Sequence, residues 1–245
     1  MSIGFGWSAG AATLFPNSIS GLFRWYDAAD ESSVTHLGYG IGSSVLTWAD
    51  KSGNGATLTS STGCYFEYFQ NLRNGLNGMV VNGPPQFMVN NATTIYGADY
   101  TILTASLSIV DDYGDLVGSG DITSGNYLFM NEYGSRLRAH NFMAGGYSVD
   151  SNTFCPPGIP RISGQRMNNT GLSVLLGYQL DNTQFTSGIF GTPSNTLTIA
   201  SRYGGTGPAN FTGYIYEILI YNRSLLISER RALCQYLGTK WDIVY

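Results

Sequence analysis

A chain of 245 residues in which Asp, Glu, Lys and Arg make up only 11%, against about 25% in an average globular domain, must build its surface from Gly, Ser, Thr, Asn and Tyr. Apolar residues hold at 43%, which excludes a disordered chain, since disorder needs low hydrophobicity with high charge. The net charge of −4 gives no basic footprint for nucleic acid or an anionic membrane, and no run approaches the ~18 apolar residues of a membrane span.

Lysine occurs only at Lys51 and Lys240. A bias towards Arg fits a surface packed on partners, where Lys is depleted. Cys64, Cys155 and Cys234 lie far apart without metal-like spacing, as expected for buried thiols in a chain folded under reducing conditions. The start "MSIGFGWSAGAATLF" lacks the basic n-region of a secretory signal.

Residues 1–20 are small, Gly-rich and uncharged, and read as an arm that docks on its own domain or on a neighbour; residues 21–245 read as one domain. From there, short β-branched and aromatic runs alternate with turn residues: "GLFRWYDA", "SSVLTWAD", "YTILTASLSIV", "NYLFMNE", "SRLRAHNF", "LSVLLGYQL", "NTLTIASR" and "GYIYEILIYN". Many short strands with regular breakers predict an all-β, two-sheet antiparallel β-sandwich or jelly roll. Only "SLLISERRALCQYLGTKW" has helical spacing, with Ser228 as N-cap, Leu226, Leu233, Tyr236 and Leu237 on one face, and Gly238 as terminator. One short C-terminal helix therefore closes the chain, with Trp241 packing back on the sandwich.

Within "TWADKSGNGATL", a phosphate cradle would need its Lys after the glycines and a helix next. Instead Asp50 is placed for an Asx-turn, and Gly53, Asn54 and Gly55 suit a tight hairpin with positive φ at Asn54-Gly55. The loop reads as a structural turn with Lys51 solvated.

The hairpin "NYLFMNEYGSRLRAHNF" yields the clearest candidate surface. With Tyr133-Gly134 as its turn, Leu128, Met130, Leu137 and Ala139 face the core. The opposite face then collects Tyr127, Phe129, Asn131, Arg136, Arg138 and His140, a strip suited to sugar stacking, to an Arg-rich protein contact, or to plain surface. Arg202 and Tyr203, in "RYGGTGPANF", are candidates by their position in an edge loop.

The stretches "GLFRWYDAADESSVT", "VLTWADKSGNGATL", "NGLNGMVVNG" and "FTGYIYEILIYNRSLLISERRALCQYLGTKW" resemble the concanavalin A-like lectin/glucanase (laminin-G-like jelly-roll) superfamily, in the branch common in bacteriophage virion proteins. The resemblance runs from about residue 21 to 241. It implies two stacked sheets, often with a concave face that holds glycans, and in many members a structural calcium near the terminal strand. An Asp commonly precedes the Glu-Ile pair there; this chain has Tyr216 before Glu217, so no cofactor is expected, with a structural calcium as the alternative. Glycosidases of the superfamily carry carboxylates on alternate residues of one strand, and no two acidic residues here are so spaced. His36 and His140 lack a nucleophile motif. The expectation is a non-enzymatic virion structural or accessory protein: a capsid decoration, head-fibre or tail-associated protein, in virions assembled in the host cytoplasm. Its partners would be other virion proteins, in a homo-oligomer or larger assembly, with a glycan as further ligand and neither nucleic acid nor membrane insertion. The alternative is a carbohydrate-binding receptor-recognition module; a divergent glycoside hydrolase is a third reading.

Overall fold

The computed structural model describes residues 15–38, 42–60, 63–91, 95, 99–111, 114–121, 126–141, 147–185, 196–201 and 210–245. Strands β1 (Leu22–Asp27), β2 (Val34–Leu37), β3 (Ser43–Trp48), β4 (Leu58–Ser60), β5 (Glu67–Arg73), β6 (Leu76–Asn82), β7 (Met88–Asn90), β8 (Tyr100–Ser108) and β9 (Gly114–Asp121) come first. There follow β10 (Asn126–Tyr133), β11 (Arg136–Asn141), β12 (Tyr147–Asp150), β13 (Arg161–Asn168), β14 (Gly171–Leu176), β15 (Gln179–Phe185), β16 (Leu197–Ile199), β17 (Thr212–Tyr221) and the helix α1 (Ile227–Trp241).

All ladders between these strands are antiparallel and trace two layers. One runs β1-β17-β8-β13-β14-β15. The other runs β12-β11-β10-β9-β16-β7-β4-β3-β2. Strands β6 and β5 join the layers, because β6 pairs with β17 and β5 with β3. The fold is the all-β sandwich with one C-terminal helix that the strand pattern predicts.

Alternation places Tyr100 and Ile102 of β8, with Ile218 and Ile220 of β17, against Val117, Met130 and Ile199 of the opposing sheet. The intervening residues Leu103, Ala105, Leu219 and Tyr221 point the other way and pack beneath α1. Strands β8 and β17 are thus buried on both faces, which explains why "YTILTAS" and "YEILIY" read as near-continuous apolar runs. "LSVLLGYQL" is two strands, not one, folded at Gly177 with φ 57°.

The helix differs from expectation at both ends. It starts one residue before Ser228, with Leu226 as the flanking residue, and the Glu229 carboxylate accepts the Leu226 N–H at 2.8 Å. Leu225 is buried and Leu226 is exposed. Gly238 does not end the helix, which continues to Trp241 and stops at Asp242 in the left-handed region (φ 51°). The glycine serves a close approach: a Cβ there would stand 2.8 Å from the Ile243 carbonyl oxygen and 2.3 Å from the Tyr245 ring.

Of the expected arm, residues 1–14 lie outside the described residues. Residues 15–20 dock on the chain's own helix-covered sheet. Ile19 is buried there, the Tyr221 hydroxyl donates to the Pro16 carbonyl at 2.9 Å, and Arg223 donates to that of Ser20 at 2.8 Å.

Candidate functional site

The loop after β3 is a clamp on strand β1. Asp50 Oδ1 accepts the Ser52 N–H at 2.8 Å, closing the Asx-turn, and also the Trp25 N–H at 2.9 Å. Lys51 N–H donates to the Trp25 carbonyl at 2.8 Å and the Ser52 hydroxyl to that of Phe23 at 2.9 Å. These bonds occupy the free edge of β1, which would otherwise offer unpaired backbone groups. The tight-hairpin expectation fails in one respect: positive φ falls on Gly53 (89°) and Gly55 (74°), not on Asn54. Asn54 spends its side-chain amide on the carbonyls of Leu22 (3.2 Å) and Phe23 (3.1 Å).

Lys51 is not solvated. Its ammonium bonds Asp27 and Asp30, each at 2.8 Å, and lies 4.6 Å from the Trp25 ring centre. Burial pulls this ammonium down, but the two carboxylates outweigh it and hold Lys51 above the ordinary lysine range. The second lysine converges on the same acid: Lys240 Nζ bonds Asp27 Oδ1 at 2.6 Å and Glu217 Oε2 at 2.8 Å. Glu217 is fully buried and reaches this place through a β-bulge. Between Ile215 and Glu217 the register shifts against β8, so Tyr216 and Glu217 both face the helix. Its Oε1 accepts from the Trp25 indole (2.7 Å) and the Tyr236 hydroxyl (3.0 Å); Oε2 accepts from Lys240 and the Trp241 indole (2.8 Å). A carboxylate offers roughly four acceptor sites, and all are taken.

That donor set does not fit a calcium ion. Calcium takes six to eight oxygen ligands, whereas Glu217 is surrounded by N–H and O–H donors. Tyr216 stacks on Trp241 with ring centres 5.2 Å apart instead of supplying a carboxylate. The Lys240 ammonium lies between the two acids that a cation would bridge. The cavity beside this network, about 410 Å³ and edged by Phe15, Trp25, Tyr236 and Thr239, meets an ammonium whose three protons already go to Asp27, Glu217 and Tyr236.

The outward face of the nine-stranded sheet has a different character. Cross-strand partners form one unbroken row: Ser148–His140–Phe129–Gly118–Thr198–Val89–Thr59–Thr47–Thr35. The next row, with Val149, Ala139, Met130, Val117, Ile199 and Met88, lies in the core, so period-2 alternation directs the described side chains of the first row outward. Five of its nine positions bear hydroxyls. Ser148 and Thr35 at the two ends are exposed, as is Thr59; Val89 and Thr47 are half-buried, and His140 and Thr198 are buried.

The predicted strip falls partly on this face. The hairpin turns at Gly134-Ser135 (φ 56° and 55°), not at Tyr133-Gly134, so Tyr133 pairs with Arg136 and Met130 with Ala139. The slip is two residues, which preserves faces, and Leu128, Met130, Leu137 and Ala139 are buried as the pattern requires. The side chains of Tyr127, Phe129 and Asn131 lie outside the described residues, as do Arg202 and Tyr203. Arg138 is held to Asp150 through two nitrogens, with the Nη2 contact at 2.8 Å, and Arg136 donates to the Ser151 and Asn152 carbonyls. His36 stacks on Tyr68 at 5.2 Å.

The bond to Arg138 holds the Asp150 carboxyl below the ordinary range. A lowered carboxyl stabilises the fold above its unfolded value and loses that contribution as pH falls through the folded one. Arg138→Ala is therefore expected to cost about 0.5–1 kcal/mol near neutrality, with the difference from wild type closing below about pH 4 in urea titrations.

No family model matches the chain, and no curated protein matches it. Solved structures do. Domain 4 of AbnA, a GH43 extracellular arabinanase from Geobacillus stearothermophilus, in complex with arabinotriose, is 14% identical over 87% of this chain and 98% of its own, with a TM-score of 0.65. The Trypanosoma rangeli sialidase in complex with sialic acid gives 0.65 at 16% identity; 96% of this chain is covered, which spans 35% of the sialidase. The CBM40 of Ruminococcus gnavus IT-sialidase bound to α2,3 sialyllactose gives 0.51 at 14% identity over 57% of this chain and 84% of that one. At such identity the likeness establishes a shared β-sandwich fold. Among the described residues no helix is long and apolar enough to cross a membrane.

Proposed function

We propose that the chain is a carbohydrate-binding β-sandwich module, acting by recognition without catalysis, with its ligand on the outward face of the nine-stranded sheet. The observation that carries this reading is the transverse hydroxyl row from Ser148 to Thr35. Each hydroxyl both donates and accepts, as sugar hydroxyls do, and strands hold such groups more rigidly than loops. The similarity in fold to carbohydrate-binding domains points the same way. The virion role, its protein partners and its location have no support of this kind and form no part of the reading.

The test is a glycan array with wild type and the double variant Thr47→Val/Thr59→Val, which keeps shape and β-propensity. Two lost hydrogen bonds should weaken array binding about ten-fold, with the melting temperature unmoved. Wild-type binding that survives the double variant unchanged would place the ligand elsewhere; an empty array would end the reading.

A further inference from the structure

We infer that the glycan bound by this face is neutral, and that sialylated, sulfated or uronate-bearing sugars are selected against; this deepens the carbohydrate-binding reading and rests on it. An acidic sugar is best recognised by a cationic side chain, most effectively a guanidinium, with N–H groups to spend on the anion. The chain has twelve basic residues, and each of the eleven among the described residues has a partner within the protein, although Arg136 bonds through Nη1 alone and Arg231 only covers a ring.

At the face itself, Arg138 presents its fork to Asp150 and Arg136 directs Nη1 to the carbonyls of Ser151 and Asn152. A second carboxylate stands beside them, since Asp181 accepts the Asn152 and Thr153 N–H groups. Two positive and two negative side chains leave this corner of the face without net charge. Elsewhere Arg24, Lys51, Arg223 and Lys240 sit on carboxylates. Arg73, Arg161 and Arg230 sit on main-chain carbonyls. Arg166 bonds the Ser224 hydroxyl, and Arg231 covers the Tyr178 ring at 4.9 Å. Arg202 lies outside the described residues.

An anionic sugar would have to pull Arg138 off Asp150 or share Arg136 with two carbonyls, in either case beside the Asp150 and Asp181 carboxylates and in a protein whose net charge is already −4. A neutral sugar meets no such cost. It needs donors and acceptors together with weak dependence on charge, which is what Ser148, Thr59, Thr47 and Thr35 offer along the row.

The experiment pairs neutral glycans on an array with their sialylated, sulfated and uronate-bearing derivatives, then titrates the strongest neutral hit at low and high salt. Each acidic derivative should bind at least about ten-fold more weakly than its neutral parent. The affinity of the neutral hit should change by less than about two-fold between 0.05 and 0.5 M NaCl, because screening acts on charges. Acidic derivatives binding as tightly as their parents, or an affinity that collapses with salt, overturn the inference while leaving the carbohydrate reading standing. In that case Arg202→Ala identifies whether that arginine supplies the contact. An array without hits overturns the reading beneath it instead.

Discussion

Lys240→Met is expected to destabilise the protein by about 3–5 kcal/mol at neutral pH, the cost of leaving a buried charge without its partner. The side chain keeps its length and apolar stem, so packing along α1 changes little. The loss is electrostatic: Glu217, fully buried, and Asp27, 4% exposed, lose the ammonium that bridges them at 2.8 and 2.6 Å. Burial already pushes the Glu217 carboxyl up, Asp27 adds to that, and Lys240 pulls against both. Without the ammonium, the Glu217 carboxyl is pushed further up, by burial first and by Asp27 second. A carboxyl raised in the folded state penalises stability progressively as pH rises above its unfolded value, near 4.3. The gap between wild type and variant should therefore widen from pH 5 to pH 8 in urea unfolding. Adding Glu217→Gln should recover part of the loss, since removing both charges costs less than orphaning one. Lys51→Met should cost less, because its side chain is 24% exposed and Asp27 keeps Lys240. A gap independent of pH would mean that Lys240 contributes packing only.

Three of the four stretches that carry the resemblance share one location. "GLFRWYDA" supplies Trp25 and Asp27, "TWADKSGNG" supplies Asp50 and Lys51, "YIYEI" supplies Glu217, and "YLGTKW" supplies Tyr236, Lys240 and Trp241. Period-2 alternation made the sandwich legible, and the turn residues located most strands. The network itself was hidden, because its members come from four separated segments and one is aimed by a bulge. Strict alternation from Leu219 and Glu217 would send Tyr216 into the sandwich; the extra residue turns it to the helix. Lys51 looked solvated because nothing local in "ADKSG" announces Asp27 and Asp30 as partners. Of the hydroxyl row, only Phe129 and His140, on the β10–β11 hairpin, were placed from the sequence, although Thr35, Thr47 and Thr59 also lie on consecutive strands. Its remainder depends on the neighbours β9-β16-β7-β4, which are not consecutive in sequence; 75 residues separate Asp121 at the end of β9 from Leu197 at the start of β16. Composition hints at it, since a chain poor in charge and rich in Ser and Thr must expose hydroxyls somewhere. It cannot say that they line up.

Trp241→Ala should have the larger effect and should undock the helix before the sandwich melts. Truncating a buried Trp costs about 3–5 kcal/mol in lost contacts and cavity. The ring is fully buried and stacks on Tyr216 at 5.2 Å. Removing its indole N–H also takes a donor from Glu217 Oε2, and a buried acceptor left short adds about 1–3 kcal/mol. Against a typical total of about 5–15 kcal/mol, the variant stands near unfolding. Trp241→Phe keeps a ring over Tyr216 but loses the donor and part of the ring volume, so about 1–3 kcal/mol for the donor plus a cavity cost smaller than that of Ala is expected. Cys234 reports which part of the fold gives way. It lies on the inward face of α1, fully buried, and burial pushes its thiol up to about 12, so it should resist a thiol reagent in the wild type. In Trp241→Ala it should react under conditions where the β-sheet circular dichroism is unchanged, because α1 covers only the outer face of the six-stranded sheet while the inter-sheet core holds. Reaction that appears only together with loss of the β signal would mean that helix and sandwich unfold as one cooperative unit. The polar network around Glu217 would then be holding the two layers to a single transition.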